Sequence, residues 1–205
     1  MTAGSGELTY ANARILLFAR APRPGKVKTR LIPDLGETGA LAIHVQLVRR
    51  QLEVLASEPL CPVQLWLDEP STDPLFDGFK GQVYLQSGED LGQRMHHAAS
   101  VALQEAEAVI IIGSDCPGLD RAYLAEALHA LSLPERDVVI GPAEDGGYVL
   151  IGLKMAASQL FSNIDWGTER VLQQTLQSLG QLNLGYQLLR PLCDVDTKDD
   201  LVHLL

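Results

Sequence analysis

Six cationic side chains fall within one short stretch near the amino end, Arg14, Arg20, Arg23, Lys26, Lys28 and Arg30, with no acid among them. The rest of the chain carries 10 cations against 26 acids. A run of like charge is by default a solvated face, but this one leaves an apolar segment of strand length, Ile15 to Phe18, and is broken by Pro22, Pro24 and Gly25. It therefore reads as a loop at the end of a buried strand, the place where open α/β sheets bind ligands. Gly25 allows close backbone approach, and Arg20, Lys26, Lys28 and Arg30 can surround a multiply charged anion, with phosphate the expected guest. A P-loop kinase or ATPase is disfavoured, because that motif needs a glycine where Arg20 stands and a Ser or Thr at Val27.

The acids cluster elsewhere. Ile110 to Ile112 runs into GlySerAspCysProGlyLeu, which puts Asp115 just past the end of a buried strand, either facing a ligand or capping a turn. Near the carboxyl end, Asp194 and Asp196 alternate, so an extended backbone aims both to one side as hard oxygen ligands suited to Mg²⁺ or Mn²⁺. The bland alternative is that Asp196 and Thr197 cap a terminal helix. Crowding Asp115 with this pair would cost about 4 kcal/mol per close contact at an effective dielectric near 20, so such a cluster needs a cation.

Between them lies GlyProAlaGluAspGlyGlyTyr, where Gly146 and Gly147 follow Asp145 and precede Tyr148. That run serves either a close backbone approach to a ligand or a hairpin turn. Trp166, Gly167 and Thr168 offer a stacking surface, a flexible point and a helix N-cap. Cys116 has no Cys-His-Asp company and reads as a small buried thiol.

The elements that must hold these residues alternate. Helical spacing of Leu41, Val45, Val48, Leu52 and Leu55 predicts a helix over Glu37 to Ala56, followed by strands at Val63 to Leu67 and Val83 to Leu85. Asp90 begins a helix on Leu91, Met95, Ala98 and Ala102; Val109 to Ile112 is a strand, Arg121 to Leu131 a helix and Val138 to Ile140 a strand. Tyr148 to Leu153, a helix over Glu169 to Leu179 and a strand at Tyr186 to Leu189 complete the pattern. Alternation of this kind predicts a three-layer α/β/α sandwich around a mainly parallel sheet.

Composition narrows the function. The 205 residues carry a net charge of −10, which speaks against nucleic acid, and the longest apolar run is far short of a membrane span. Cys61, Cys116 and Cys193 form no CxxC pair, so reduced thiols are expected. Residues 1–13 read as a loose polar tail without a secretion signal, residues 14–205 as a single nucleotide-binding domain with a cytoplasmic address.

Four segments, PheAlaArgAlaProArgProGlyLysValLysThrArgLeu, GlySerAspCysPro, GlyProAlaGluAspGlyGlyTyr and AspValAspThrLysAspAspLeu, together resemble the nucleotide-diphospho-sugar transferase superfamily with its glycosyltransferase-A fold. The likeness is nearest to a bacterial glycosyltransferase-like, radical-SAM-associated group, which GlnSerGlyGluAspLeuGlyGlnArgMet also matches. It implies that Arg20, Lys26, Lys28 and Arg30 cradle nucleotide phosphates, that Asp115, Asp194 and Asp196 hold the metal, and that Asp145, Gly146, Gly147 and Tyr148 shape the acceptor side. Trp166 and Thr168 are expected beside them. Asp115, Lys28 and Asp145 are the residues expected to carry catalysis. The superfamily's LxAGGxGxR opening is replaced here by PheAlaArgAlaProArgProGly, so the likeness assigns no base. The expected activity is metal-dependent transfer from a nucleotide-activated donor to a small acceptor, either glycosyl transfer from an NDP-sugar or nucleotidyl transfer from an NTP. A noncatalytic nucleotide-binding or partner-binding module on the same fold is the alternative.

Overall fold

A computed structural model describes residues 8–204. Of the expected tail, residues 1–7 lie outside the described residues; Tyr10 packs against the core, and its amide donates to the Leu60 carbonyl at 2.9 Å.

Among the described residues, seven strands and four α-helices follow in order: β1 (Ala13–Ala19), α1 (Ile32–Ser57), β2 (Val63–Leu67), β3 (Gln82–Leu85), α2 (Leu91–Ala102), β4 (Ala108–Ile112), α3 (Arg121–Ser132), β5 (Val138–Pro142), β6 (Tyr148–Leu153), α4 (Val171–Leu182) and β7 (Tyr186–Leu188). The sheet order is β3-β2-β1-β4-β6-β5-β7. Every pairing is parallel except the two made by β6, which runs antiparallel between β4 and β5. The GlyProAlaGluAspGlyGlyTyr run is thus a hairpin joining β5 to β6.

Both faces of the sheet are covered because its central strands are aliphatic on both sides. Ile15, Leu17, Ile110 and Ile112 face one core with Val48 and Leu55 of α1 and Tyr123, Leu124 and Leu128 of α3. Leu16, Val109 and Ile111 face the other with Met95, Ala98 and Ala102 of α2 and Leu179 of α4. The expected sandwich is the one observed.

Helix boundaries differ from expectation where local chemistry intervenes. α1 starts at Ile32, with Pro33 in its first turn, and continues across a break at Gly36 (φ 68°, ψ 170°) that only glycine adopts easily. Its buried side is Ala40, His44, Leu47, Val48, Gln51 and Leu55, rotated from the all-apolar stripe because two polar residues are buried in it. α4 begins at Val171 with Arg170 at the N-cap and no side-chain cap, so Thr168 is not the cap; its hydroxyl instead accepts from the Arg170 amide at 3.3 Å.

From β1 the chain first winds outward through β2 and β3, then returns to place β4 on the other flank of β1. The strand order reverses between β1 and β4, where the loops diverge and leave a crevice.

Ile110 lies at the centre of this sheet and is fully buried, whereas Val83 on edge strand β3 is 55 % exposed. Ile110→Ala is expected to destabilise the protein by about 2–5 kcal/mol through a cavity, and Val83→Ala by about 0.5 kcal/mol or less. Urea denaturation of the two variants measures both.

Candidate functional site

The loop after β1 is pinned before it reaches the crevice. The Ala21 amide donates to Asp68 Oδ1 at 2.8 Å, and the buried His44 places Nε2 3.1 Å from the Arg20 carbonyl oxygen. Gly25 holds φ +71°, and a Cβ there would stand 3.2 Å from the Glu37 carboxylate. Lys28 is left-handed (φ 45°, ψ 45°), an uncommon conformation for a residue with a side chain. The turn at Thr29–Leu31 then delivers Arg30.

Opposite this loop, Asp115 follows β4, and its carbonyl accepts the Val195 amide at 3.0 Å, which lays the carboxyl-terminal segment alongside. Val195 is fully buried, so Asp194 and Asp196 project from the other side of an extended backbone. Asp200 fixes the segment's end by accepting the Asp196 and Thr197 amides at 3.0 and 2.6 Å.

The two loops meet through one ammonium. Lys28 Nζ lies 2.9 Å from Asp115 Oδ2 and 2.9 Å from Asp196 Oδ1, with its side chain only 4 % exposed. Arg30 Nη1 approaches Asp196 Oδ2 at 3.2 Å. Burial pulls the Lys28 ammonium down, but Asp115 and Asp196 outweigh it and hold its pKa above the ordinary lysine value.

Around this junction lies a cleft of about 670 Å³ lined by Arg20, Lys28, Arg30, Asp115 and Asp196. Gly25 and Lys26 do not line it; Gly25 shapes the turn, and the Lys26 carbonyl accepts from Arg20 Nη1 at 3.2 Å. Arg14 stands at the opposite end of β1, donating to the Ala11 and Ala13 carbonyls. His44, Asp68, Gln86 and Arg94 also line the cleft, and none was expected there. Asp68 carried a readable signal, the first residue after a five-residue strand that ends in the apolar run Leu65 to Leu67.

A smaller adjoining pocket, about 240 Å³, is lined by Asp145, Gly147, Tyr148, Trp166, Thr168 and Asp194. Tyr148 and Trp166 pack edge to face at 6.2 Å between ring centroids. Asp145 Oδ1 accepts the Gly147 amide at 2.9 Å. Gly146 is not part of the wall: it sits at φ +91° against α4's leading turn, where a Cβ would fall 2.3 Å from the Glu169 carbonyl oxygen.

The three aspartates expected to bind a metal are therefore divided, with Asp115 and Asp196 in the cleft and Asp194 in the pocket beside Asp145. Among the described residues no three His, Cys, Asp or Glu side chains gather as a metal cage. The Asp115–Asp196 pair has the ligand type and number that Mg²⁺ takes from protein, one or two carboxylates with water and substrate phosphates completing the shell, and here Lys28 and Arg30 engage three of its four oxygens. Asp194 is pushed up to about 6 by burial and by its carboxylate neighbours Asp145 and Asp196. Cys116 is buried, which pushes its thiol up to about 11, away from nucleophilic chemistry.

Residues 51–168 match a protein family described as "Uncharacterized protein conserved in bacteria (DUF2064)". A candidate nucleotide-diphospho-sugar transferase from Desulfovibrio desulfuricans G20 is 32 % identical with a TM-score of 0.82, over 91 % of this chain and 83 % of that one. CMP:2-keto-3-deoxy-manno-octonic acid synthetase complexed with CTP shares the fold at 13 % identity and TM-score 0.57, over 95 % and 97 % of the two chains. So does a mannosyltransferase from Pyrobaculum calidifontis in complex with GDP-Man and Mn²⁺, at 12 % identity and TM-score 0.54, over 93 % of this chain and 59 % of that one. No curated protein matches the chain. No described helix is long and apolar enough to cross a membrane.

The raised Asp194 acid has a definite consequence for stability. Below about pH 4 both folded and unfolded chains hold its proton; between about 4 and 6 only the folded chain does, so stability falls as pH rises through that window. In EDTA, Asp194→Asn is expected to melt a few degrees above the parent at pH 7.5 and to lose that advantage at pH 4, read by thermal denaturation at both pH values.

Proposed function

The chain belongs to the DUF2064 family and has the fold of the nucleotide-diphospho-sugar transferases; from that premise we propose that it is a metal-dependent transferase, binding a nucleotide-activated donor in the larger cleft and a small acceptor in the smaller pocket. The observation that carries this reading is the junction itself: Lys28 bound to both Asp115 and Asp196, with Arg30 on Asp196 and Arg20 in the same cleft. Cations for phosphate oxygens and carboxylates for a divalent ion stand face to face at the point where the sheet's strand order reverses.

Asp115 and Asp196 would hold Mg²⁺ or Mn²⁺ jointly with the donor's phosphates. When bound there, the ion supplies Lewis-acid neutralisation of charge on the leaving phosphate. Lys28 and Arg30 add positive charge fixed by the fold, so they need little reorganisation as the donor bond breaks. Arg20 reaches the same oxygens from the amino side of the loop. Asp145, oriented by the Gly147 amide, takes the proton of an acceptor hydroxyl held against Tyr148 and Trp166. Attack on a sugar carbon releases NDP, and attack on the α-phosphorus of an NTP releases pyrophosphate. Both reactions leave new negative charge where Lys28 and Arg30 stand.

Product analysis with Mg²⁺, an array of NTPs and NDP-sugars and pooled small alcohols as acceptors is expected to show release of NDP or pyrophosphate. Asp115→Ala is expected to lower that rate about 10²–10³-fold, the usual effect of removing one transition-state electrostatic contact. Finding neither product across the array would falsify the transferase reading.

A further inference from the structure

The far end of the cleft carries a hydrogen-bonding pattern that the phosphate chemistry does not use. Asp68 immediately follows β2, Gln86 immediately follows β3, and Glu89, Asp90 and Arg94 complete the polar lining at this end, Asp90 being committed to Gln93 as the N-cap of α2. It lies toward β3, while Asp115 follows β4. The sheet places three strand spacings between β4 and β3, about 14 Å, the reach of an extended nucleoside diphosphate.

Each polar group here has one side committed to the protein. Asp68 Oδ1 accepts the Ala21 amide, and Gln86 Nε2 donates to the Trp66 carbonyl at 2.9 Å. A carbonyl can only accept, so that bond fixes which end of the Gln86 amide is Nε2 and leaves Oε1 and the second Nε2 hydrogen for a ligand. Arg94 Nε donates to the Gly88 carbonyl at 3.1 Å, which leaves its terminal amino groups. Among the described residues, Asp68 Oδ2, Gln86 Oε1 and the Glu89 carboxylate accept no hydrogen bond. The cleft's far end therefore offers acceptors from three residues, Asp68, Gln86 and Glu89, and donors from two, Gln86 and Arg94.

Of the common bases, uracil presents two carbonyls around a single N–H, cytosine presents one amino group beside two acceptors, and adenine one amino group beside one acceptor. Guanine alone presents adjacent N1–H and N2–H donors together with a carbonyl acceptor at C6. Resting on the donor reading above, we propose that the nucleotide is a guanine nucleotide, with Asp68 as the residue that determines the base: its carboxylate accepts from N1–H and N2–H, and Arg94 donates to O6. A hydrogen bond to a charged group is strong, and leaving a carboxylate facing a base carbonyl is costly, so discrimination works by both attraction and rejection.

Calorimetric titration of the full chain with GDP, IDP, XDP, ADP, CDP and UDP, each with Mg²⁺, tests this. GDP is expected to bind at least about tenfold more tightly than CDP, UDP or ADP, and IDP, which lacks only the 2-amino group, to bind about tenfold more weakly than GDP. Asp68→Asn keeps the oxygen that accepts the Ala21 amide and converts the other into a donor, so its preference is expected to move from GDP to XDP, whose C2 carries a carbonyl. A preference for CDP, UDP or ADP in the parent protein, equal binding of GDP and IDP, or an unchanged ranking in Asp68→Asn overturns the guanine assignment while leaving the donor reading in place. Absence of binding by all six overturns both.

Discussion

A lysine ammonium shared by two carboxylates joins three parts of the chain that are far apart in sequence: the loop after β1, the loop after β4 and the carboxyl-terminal segment. Two carboxylates brought to one side of a crevice repel each other by several kcal/mol at an effective dielectric near 20. Lys28 removes that repulsion and does so from a nearly buried position, where the ammonium is itself expensive to desolvate. The left-handed backbone at Lys28 adds a further cost of roughly 1–2 kcal/mol. Such an arrangement contributes little net stability. It is better understood as positioning, since it fixes where cations and carboxylates stand relative to each other before any ligand arrives.

The same ammonium explains why adjacent acids behave differently. Asp194 and Asp196 leave the same side of an extended backbone anchored by Val195, yet Lys28 and Arg30 both bind Asp196. Asp194 is left facing Asp145, and burial with like charge raises its pKa. The result is two compartments with different electrostatics. The cleft mixes cations with acids, whereas the smaller pocket has two carboxylates and no Lys, Arg or His in its lining. A phosphate is favoured in the first and repelled by the second, so under the proposed function a donor would have one productive orientation.

Much of the fold could be read from the sequence because its central strands are simple. Ile110 to Ile112 and Ile15 to Leu17 are uninterrupted aliphatic runs, and their burial on both faces requires helices on both sides. The basic loop and Asp115 were legible because each directly follows such a run. Gly25 and Lys26 could not be separated from Arg20, Lys28 and Arg30 by charge alone, since which of them faces the crevice depends on the turn and the left-handed residue after it. Thr168 has the chemistry of an N-cap, but α4 starts three residues later. His44 and Gln51 were hidden within a helix read for its apolar spacing, although a polar residue on a buried face is itself a signal. His44 meets the Arg20 carbonyl only through tertiary packing.

Asp68 and Gln86 illustrate the deeper limit. An Asp after a strand is commonly a turn residue, and a lone Gln carries no signal at all. Their significance comes from parallel pairing of β2 with both β1 and β3, which sets the two residues on neighbouring strand ends beside the basic loop after β1. Parallel neighbours are joined by long crossovers, so their alignment is a non-local fact that no window of sequence contains. The rule that ligands gather at the carboxyl ends of strands converts that alignment into chemistry. Once β1 and β4 mark the crevice, every residue just beyond a neighbouring strand becomes a candidate for contact, and the atoms left without partners there determine what the ligand must present.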